Sequence, residues 1–397
     1  MNDLDFATRR GTQLRACGRL GAMAMLLAGC SGEMDVGDYL SDTAETGTVS
    51  QALRCTDGNG DPINDPNCPW KYWAPLSPTT DITHTMSPAI CAKTTALTIS
   101  VDTNGRYRTL QWHSVLASSW GNYGTRTFAS NPTCAFREDS ASGQPGFVLA
   151  GKGTDGKLYA SPGTMAPAAI PQSNPTADAP WAAVSSTVYN TAGYPALAPS
   201  YSYRGDSVML TFMGDDSRTI YAHVRDLPYT QNSWTSRITG PQLPSGWAVL
   251  GAPAVAKLPM TVQIVVYASN GSQERLFTTH FDGLGFSGGV PGSPASWQML
   301  ASVGDIDSAP SLTYSSPHGL TVYFQRDGQI MQTGGYPLGS TPVLAVKPDE
   351  GLSFASAPAG HFGWQYESQG GAHLVVARTT SNQLQRAENF PDSWLVP

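Results

Sequence analysis

Apolar and polar positions alternate along this chain in short bursts, and the bursts recur. Between Ser308 and Gln332, Ser-Ala-Pro-Ser-Leu-Thr-Tyr is followed by Leu-Thr-Val-Tyr-Phe-Gln, then Arg-Asp-Gly, then Gln-Ile-Met-Gln. A small residue and proline open the unit, two runs rich in β-branched and aromatic residues follow, a polar turn intervenes, and an apolar stretch closes it. That is the pattern of a β-meander. Versions of it occur six times, with head prolines at Pro88, Pro132, Pro195, Pro253, Pro310 and Pro358. Their spacing of about 44 to 63 residues is that of propeller blades.

The second runs, among them Leu97–Val101, Val208–Phe212, Val262–Tyr267 and Leu320–Phe324, are apolar at nearly every position, which predicts strands covered on both faces. Each is followed by a turn of Gly, Asp or Asn at the same phase, as in Asp102–Gly105, Asn270-Gly271 and Asp327-Gly328. A tryptophan precedes five of the six heads: Trp73, Trp120, Trp181, Trp247 and Trp297. Packing between blades is its simplest role. Trp394-Leu-Val396 has the same look, so the C-terminus is expected to complete the ring beside the first blade and remove its free edge. The expected fold is all-β, a propeller of six four-stranded antiparallel blades over 70–397.

Composition agrees with short strands and tight turns: 41 Gly, 30 Pro and only 13% charged residues. The formal charge is −7. The first 29 residues are net basic, with Arg9, Arg10, Arg15 and Arg19 against Asp3 and Asp5, so the remainder is more acidic still. Nucleic acid is therefore not an expected partner, since phosphate binding needs a Lys/Arg stripe. A monomer is expected.

The N-terminal segment has a basic stretch, the apolar run Leu20–Leu27, and Ala28-Gly29-Cys30, the layout of an export signal. Leu27-Ala28-Gly29-Cys30 resembles the bacterial lipobox. The resemblance implies cleavage of 1–29, thioether lipidation of Cys30, acylation of its new amino end by a palmitate-like chain, and a bacterial cell-envelope location. Ser31, after the cysteine, favours the outer membrane. Several acyl chains at about 0.8 kcal/mol per buried CH₂ would make the membrane a lasting partner. Residues 30–54 are rich in acids, Ser, Thr and Gly and read as a flexible tether, reaching about 25 to 30 Å.

Residues 55–69 form a cysteine-bounded loop. With Cys17 and Cys30 set aside, Cys55, Cys68, Cys91 and Cys134 suggest two disulfides in an exported protein. Among three pairings, Cys55 with Cys68 and Cys91 with Cys134 are favoured, because the latter two stand at the heads of successive repeats. Asp57, Asn59, Asp61 and Asp65 place oxygen ligands as at the start of EF-hand or thrombospondin-type calcium loops, which they resemble. Pro62 and Cys68 depart from the EF-hand, and a polar turn is the competing explanation. Calcium is the one cofactor expected there.

The repeated phrase of small residue, Pro and Ala, an apolar strand, Asp-Gly and Leu-Tyr resembles the blades of bacterial and fungal lectin-like propellers, fucose-binding ones included, and more remotely those of sialidases. The resemblance implies sugar binding. Ser100-Val-Asp102-Thr-Asn-Gly105 carries one residue too many for a sialidase Asp-box, and no arginine triad is recognisable.

Sugar binding needs an aromatic face for the ring and charged or amide groups for the hydroxyls. The turns offer Arg106, Asp155, Arg218, Glu274, Arg326 and Asp327, beside Trp112, Tyr159, Tyr221, Phe277 and Tyr323. These aromatics serve equally well as core. The histidines form no metal motif, though His223 and His280 look similarly phased in consecutive blades. The expectation is a surface lipoprotein binding glycan or another surface ligand, such as a cell-surface protein, without catalysis. The alternatives are a glycoside hydrolase using two channel carboxylates and a protein–protein scaffold.

Overall fold

A computed structural model divides the chain into two compact units, Met1–Ser50 and Gln51–Pro397. The residues it describes, all in the second unit, are 73–76, 83–92, 96–112, 120–137, 146–161, 181–189, 194–202, 205–226, 234–259, 261–282, 285–287, 296–300, 303–315, 319–335, 338–339, 341–346, 351–366 and 369–389. Cys30, Cys55, Cys68, Asp57, Asn59, Asp61 and Asp65 lie outside them. No helix among the described residues is long and apolar enough to cross a membrane.

The second unit is a six-bladed β-propeller of antiparallel sheets. Blade one holds Ala89–Ala92, Ala96–Val101, Arg106–Trp112 and Gly121–Thr127; blade two holds Thr133–Arg137, Gly146–Lys152, Lys157–Ala160 and Ala182–Val188. Blade three is Ala196–Ser202, Gly205–Met213, Thr219–Asp226 and Ile238–Gln242, and blade five Ser311–Ser315, Gly319–Arg326, Gln329–Gly335 and Leu344–Ala345. In blade four, Ala254–Lys257, Val262–Ser269, Glu274–Phe281 and Gln298–Met299 are joined by the short pieces Ala248–Val249 and Phe286–Ser287, which split its first and last layers.

Blade six closes the ring in a way opposite to the expectation. Its first three strands are Ala359–Tyr366, Gln369–Arg378 and Leu384–Asn389, but its outer strand is Ala74–Pro75 from the start of the body, paired Ala74 with Arg386 and Pro75 with Gln385. Trp394–Val396 lies outside the described residues. The physical reason is the Trp73-Ala-Pro-Leu76 signature: the Trp73 ring packs tilted against Phe354, centroids 4.6 Å apart, and donates from Nε1 to the Val346 carbonyl at 3.1 Å, while Leu76 is buried. Trp181 and Trp297 do the same, donating to the Tyr123 and Pro241 carbonyls of the preceding blades. These three tryptophans thus tie blades six, two and four back to their predecessors.

The second strands are buried along their length, from Leu97, Ile99 and Val101 to Val375, Val376 and Ala377. Burying a side chain of this size contributes about 1.5–3 kcal/mol. The turns after them follow from their residues: Asp327 and Gly328 both adopt positive φ (52° and 75°) between paired Arg326 and Gln329, the two-residue turn whose twist suits a hairpin. A further repeat device was not evident beforehand. The amide three residues before the head proline donates to a carbonyl at or within two residues of the end of the second strand: Thr85 to Val101, Ala129 to Lys152, Leu250 to Tyr267, Asp307 to Gln325 and Ala355 to Arg378. In three blades a serine two residues before the proline, Ser130, Ser308 or Ser356, accepts from that same strand end.

The six inner strands enclose a central channel of about 440 Å³ lined by the head prolines and small residues. Small side chains let the strands approach, and cross-strand ties fix them. Cys91 and Cys134 form the expected disulfide between blades one and two. Thr133 Oγ accepts from the Leu197 amide, and Ser311 Oγ from the Gly360 amide.

Candidate functional site

The turns between second and third strands and the connections leading into the head prolines share one face, because strand direction alternates within each blade. Polar side chains converge there most densely at the seam between blades four and five. Glu274 opens the third strand of blade four and accepts from the Tyr267 hydroxyl. Asp305, in the connection to blade five, accepts from Arg275 and from the Glu274 amide (3.4 Å). Arg326, ending the second strand of blade five, donates from Nε to the Asp305 carbonyl (2.9 Å) and from its fork to the Val303 carbonyl. Asp307 accepts from the Asp327 amide at 2.6 Å.

Electrostatics within this seam follow from its pairing. The Arg275 hydrogen bond, the Glu274 amide and the Arg275 and Arg326 charges hold Asp305 below the ordinary carboxylate range. Burial, the hydrogen bond to Glu274 and the Glu274, Asp307 and Asp305 charges push the Tyr267 hydroxyl well up, so it remains a donor. Three of the seven predicted ligand residues, Glu274, Arg326 and Asp327, therefore meet, and Asp305 and Asp307 complete the group.

The other four stand apart. Arg106 is exposed at the blade-one turn. Trp112 ends a strand of blade one, with its side chain outside the described residues. Asp155, at the blade-two turn, accepts from the Tyr159 hydroxyl at 2.6 Å and lies 3.9 Å from Arg126, whose guanidinium caps the Tyr159 ring at 3.7 Å. Burial raises the Asp155 proton affinity, but the Tyr159 hydroxyl, the Lys157 amide and the two cations outweigh it and leave it lowered. Arg218 donates to the Leu243 carbonyl at 2.8 Å. Its neighbour Asp216 is likewise lowered: burial acts upward, and the Thr219 hydroxyl, the Thr219 and Arg218 amides and the Arg218 charge outweigh it.

Sequence alone missed Arg126. It sits on the outer strand of blade one and acts across to blade two, a relation that only the blade register reveals. Of the aromatics beside the turns, Tyr159, Phe277 and Tyr323 are buried, and their rings pack the seams rather than face solvent. The phasing of His223 and His280 is corrected. His223 lies three residues past the Met213–Ile220 pair, and His280 four past the equivalent Tyr267–Leu276 pair, so their side chains leave opposite sheet faces. His223 donates Nδ1–H to the Thr235 carbonyl (2.8 Å) and stacks on Phe212, a structural role. Among the described residues, no group of three or more His, Cys, Asp or Glu is arranged to hold a metal.

The channel differs in kind from the rim. Its described lining contains Lys257 and His361 but no Asp or Glu. Two carboxylates facing one another there, as the hydrolase alternative requires, are not found among the described lining residues.

No described protein family and no curated protein matches this chain by sequence. Solved structures do match it in fold. The fucose-specific lectin of Aleuria aurantia, a six-bladed β-propeller, superposes with a TM-score of 0.51 at 12% identity, covering 77% of this chain and 93% of the lectin. A mutant α-L-arabinofuranosidase from Fusarium graminearum, solved with an iminosugar inhibitor, superposes with a TM-score of 0.50 at 10% identity, covering 80% of this chain and 96% of the enzyme. Identities this low establish the fold and nothing finer; one fold carries both binding and hydrolysis.

Proposed function

We propose that this protein is a glycan-binding propeller held on a bacterial envelope by a lipid on Cys30, and that it binds without hydrolysis. The observation that carries this reading is where the polar groups lie. They are gathered on rim seams, above all Glu274, Asp305, Asp307, Arg326 and Asp327, while the described channel lining lacks a carboxylate. Glycosidic hydrolysis uses an acid that keeps its proton near neutral pH. Among the described residues, the carboxylates whose proton affinity is displaced, Asp155, Asp216 and Asp305, are displaced downward, which supports binding. The fold shared with a fucose-specific lectin makes sugar a natural ligand class, and the fold shared with an arabinofuranosidase keeps hydrolysis as the second reading. Several weak rim sites on one anchored body would gain affinity for a polymeric glycan through effective concentration.

A glycan array with the unit from Gln51 onward tests this. Sugars retained intact are the expected outcome, and cleavage products in the eluate would transfer the case to the hydrolase. A Cys30→Ser variant, followed by fractionation after labelling with an alkynyl fatty acid, tests the anchor. Loss of label together with release from the membrane fraction is expected.

A further inference from the structure

The seam between blades six and one holds a cation that no acid of the described chain answers. Arg378 ends the second strand of blade six. Nη1 donates to Asn382 Oδ1 at 2.5 Å and Nη2 to the Ala355 carbonyl at 3.2 Å, while its buried Nε finds no partner. Both partners are neutral, and no Asp or Glu of the described residues lies within ion-pairing distance. Burial alone displaces this guanidinium's proton affinity, downward, with no carboxylate acting against it.

Among the described residues, only blades two and six carry a cation at this phase, and blade two shows how such a cation is answered. The residue at the same phase of blade two is Lys152, which has the Asp215 carboxylate of blade three acting on it. Asp215 stands two residues beyond Met213, and the corresponding position in blade one, two beyond Val101, is Thr103. The nearest acid of that turn, Asp102, is already committed: it accepts from the Asn104 and Arg106 amides and pairs with Arg108 Nε at 2.8 Å. His84 is the titratable group of blade one on which Arg378 acts. It is tied through Nδ1 to Ser100 Oγ at 2.7 Å, sits 5.0 Å from the Trp120 ring, and is held neutral at pH 7 by burial and the Arg378 charge. A partly desolvated planar fork edged by neutral amide and imidazole groups suits a carboxylate flanked by hydroxyls.

We propose that Arg378 receives the carboxylate of an acidic sugar, a uronic acid, at the seam between blades six and one. This rests on the glycan-binding reading and narrows it to anionic polysaccharide.

Calorimetric titration of the full-length chain with trigalacturonic acid and with its methyl ester decides the matter. The acid is expected to bind about tenfold more tightly than the ester, the scale of one charge-assisted pair. Arg378→Gln should erase that preference, so that acid and ester bind alike, and Arg378→Lys should restore part of it. Because Arg378 also holds the Ala355 carbonyl, melting curves of both variants accompany the titration, and the acid-against-ester comparison on the unmodified chain needs no variant. Equal affinity for acid and ester overturns this inference and leaves glycan binding standing. Failure to bind any glycan of the array overturns both. A preference that survives Arg378→Gln in a folded variant overturns the role of Arg378. Displacement of the acid by polyglutamate at equal carboxylate concentration assigns the site to a protein partner and overturns the sugar.

Discussion

The seams between blades one and two and between blades four and five are built from the same repeat and share an apolar interior, Tyr107, Phe147 and Leu149 in the one and Leu276, Val322 and Phe324 in the other, yet they are fastened differently at their edges. At the first, the Cys91–Cys134 bridge crosses the inner strands, and Tyr107 stacks on Phe128 with centroids 3.8 Å apart while Trp181 meets both rings edge-on in a buried cluster. Gly151 of blade two lies under the Tyr107 ring so closely that a β-carbon there would strike it. At the second, the rim is held by Arg275, Asp305, Arg326 and backbone groups, in part solvent-exposed. Covalent closure and apolar packing are insensitive to salt, whereas exposed ion pairs contribute little and are screened. Both seams are packed; the difference lies in the fastening, covalent and aromatic at the first, charged and partly solvent-exposed at the rim of the second.

Breaking the first seam has the largest expected effect. The bridge closes a loop with a sequence separation of 43, so Cys91→Ser with Cys134→Ser should cost about 4 kcal/mol by loop-closure entropy, read as a lower denaturant midpoint under oxidising conditions. A midpoint equal to that of the oxidised parent would end the assignment of this seam as the ring's staple.

A second test uses protons at the neighbouring seam. The folded-state pKa of His84 is lowered to about 4 from 6.5, by burial and then by Arg378. Between those values the unfolded chain holds a proton that the folded chain does not. Stability should therefore fall as pH drops from about 6.5 toward 4, by up to about 3 kcal/mol, and the loss should level off below that. Burial lowers His223 and His280 in the same direction and adds to the same slope. Denaturation at pH 7.5, 5.5 and 4.5 measures it, and His84→Gln should flatten the curve; an unchanged slope would mean that His84 titrates normally.

Tyr107→Phe is the finer probe of the aromatic seam. The hydroxyl donates to the Ser130 and Asn131 carbonyls, each at 3.2 Å, from a fully buried ring. Its removal should cost about 1–2 kcal/mol, equally at low and high salt. The smallest effect is expected from Asp305→Asn at the polar seam: a slight fall in melting temperature in dilute buffer that vanishes in 0.5 M NaCl, about a 4 Å Debye length. A large, salt-independent loss would contradict the contrast between the two seams.

Much of the fold was legible because its signals are local. The head prolines, the apolar second strands and Asp327-Gly328 each dictate their own backbone, and Cys91 and Cys134 stand at equivalent places in adjacent repeats. The closing strand was misplaced, since Trp73 and Trp394 carry the same signature and only the packing of Trp73 on Phe354 distinguishes them. The rim site was half legible. Glu274, Arg326 and Asp327 lie in turns that advertise themselves, but what joins them to Asp305 and Asp307 is inter-blade register. The same holds for Arg126 over Tyr159, and for Arg378, whose meaning lies in the absence of an acid at Thr103. Differences between blades have no local period to mark them.

The outer strand of blade six has a further consequence, in the order of events during folding. Ala74 and Pro75 stand at the start of the body and pair with Gln385 and Arg386, about three hundred residues later, and that pairing closes the ring. Until then Leu384–Asn389 has an open edge, the kind that invites pairing with another chain. Joining segments so far apart makes closure a late and slow step. The ring is thus either complete or vulnerable, and the time it spends unfinished is set by how soon its two ends meet.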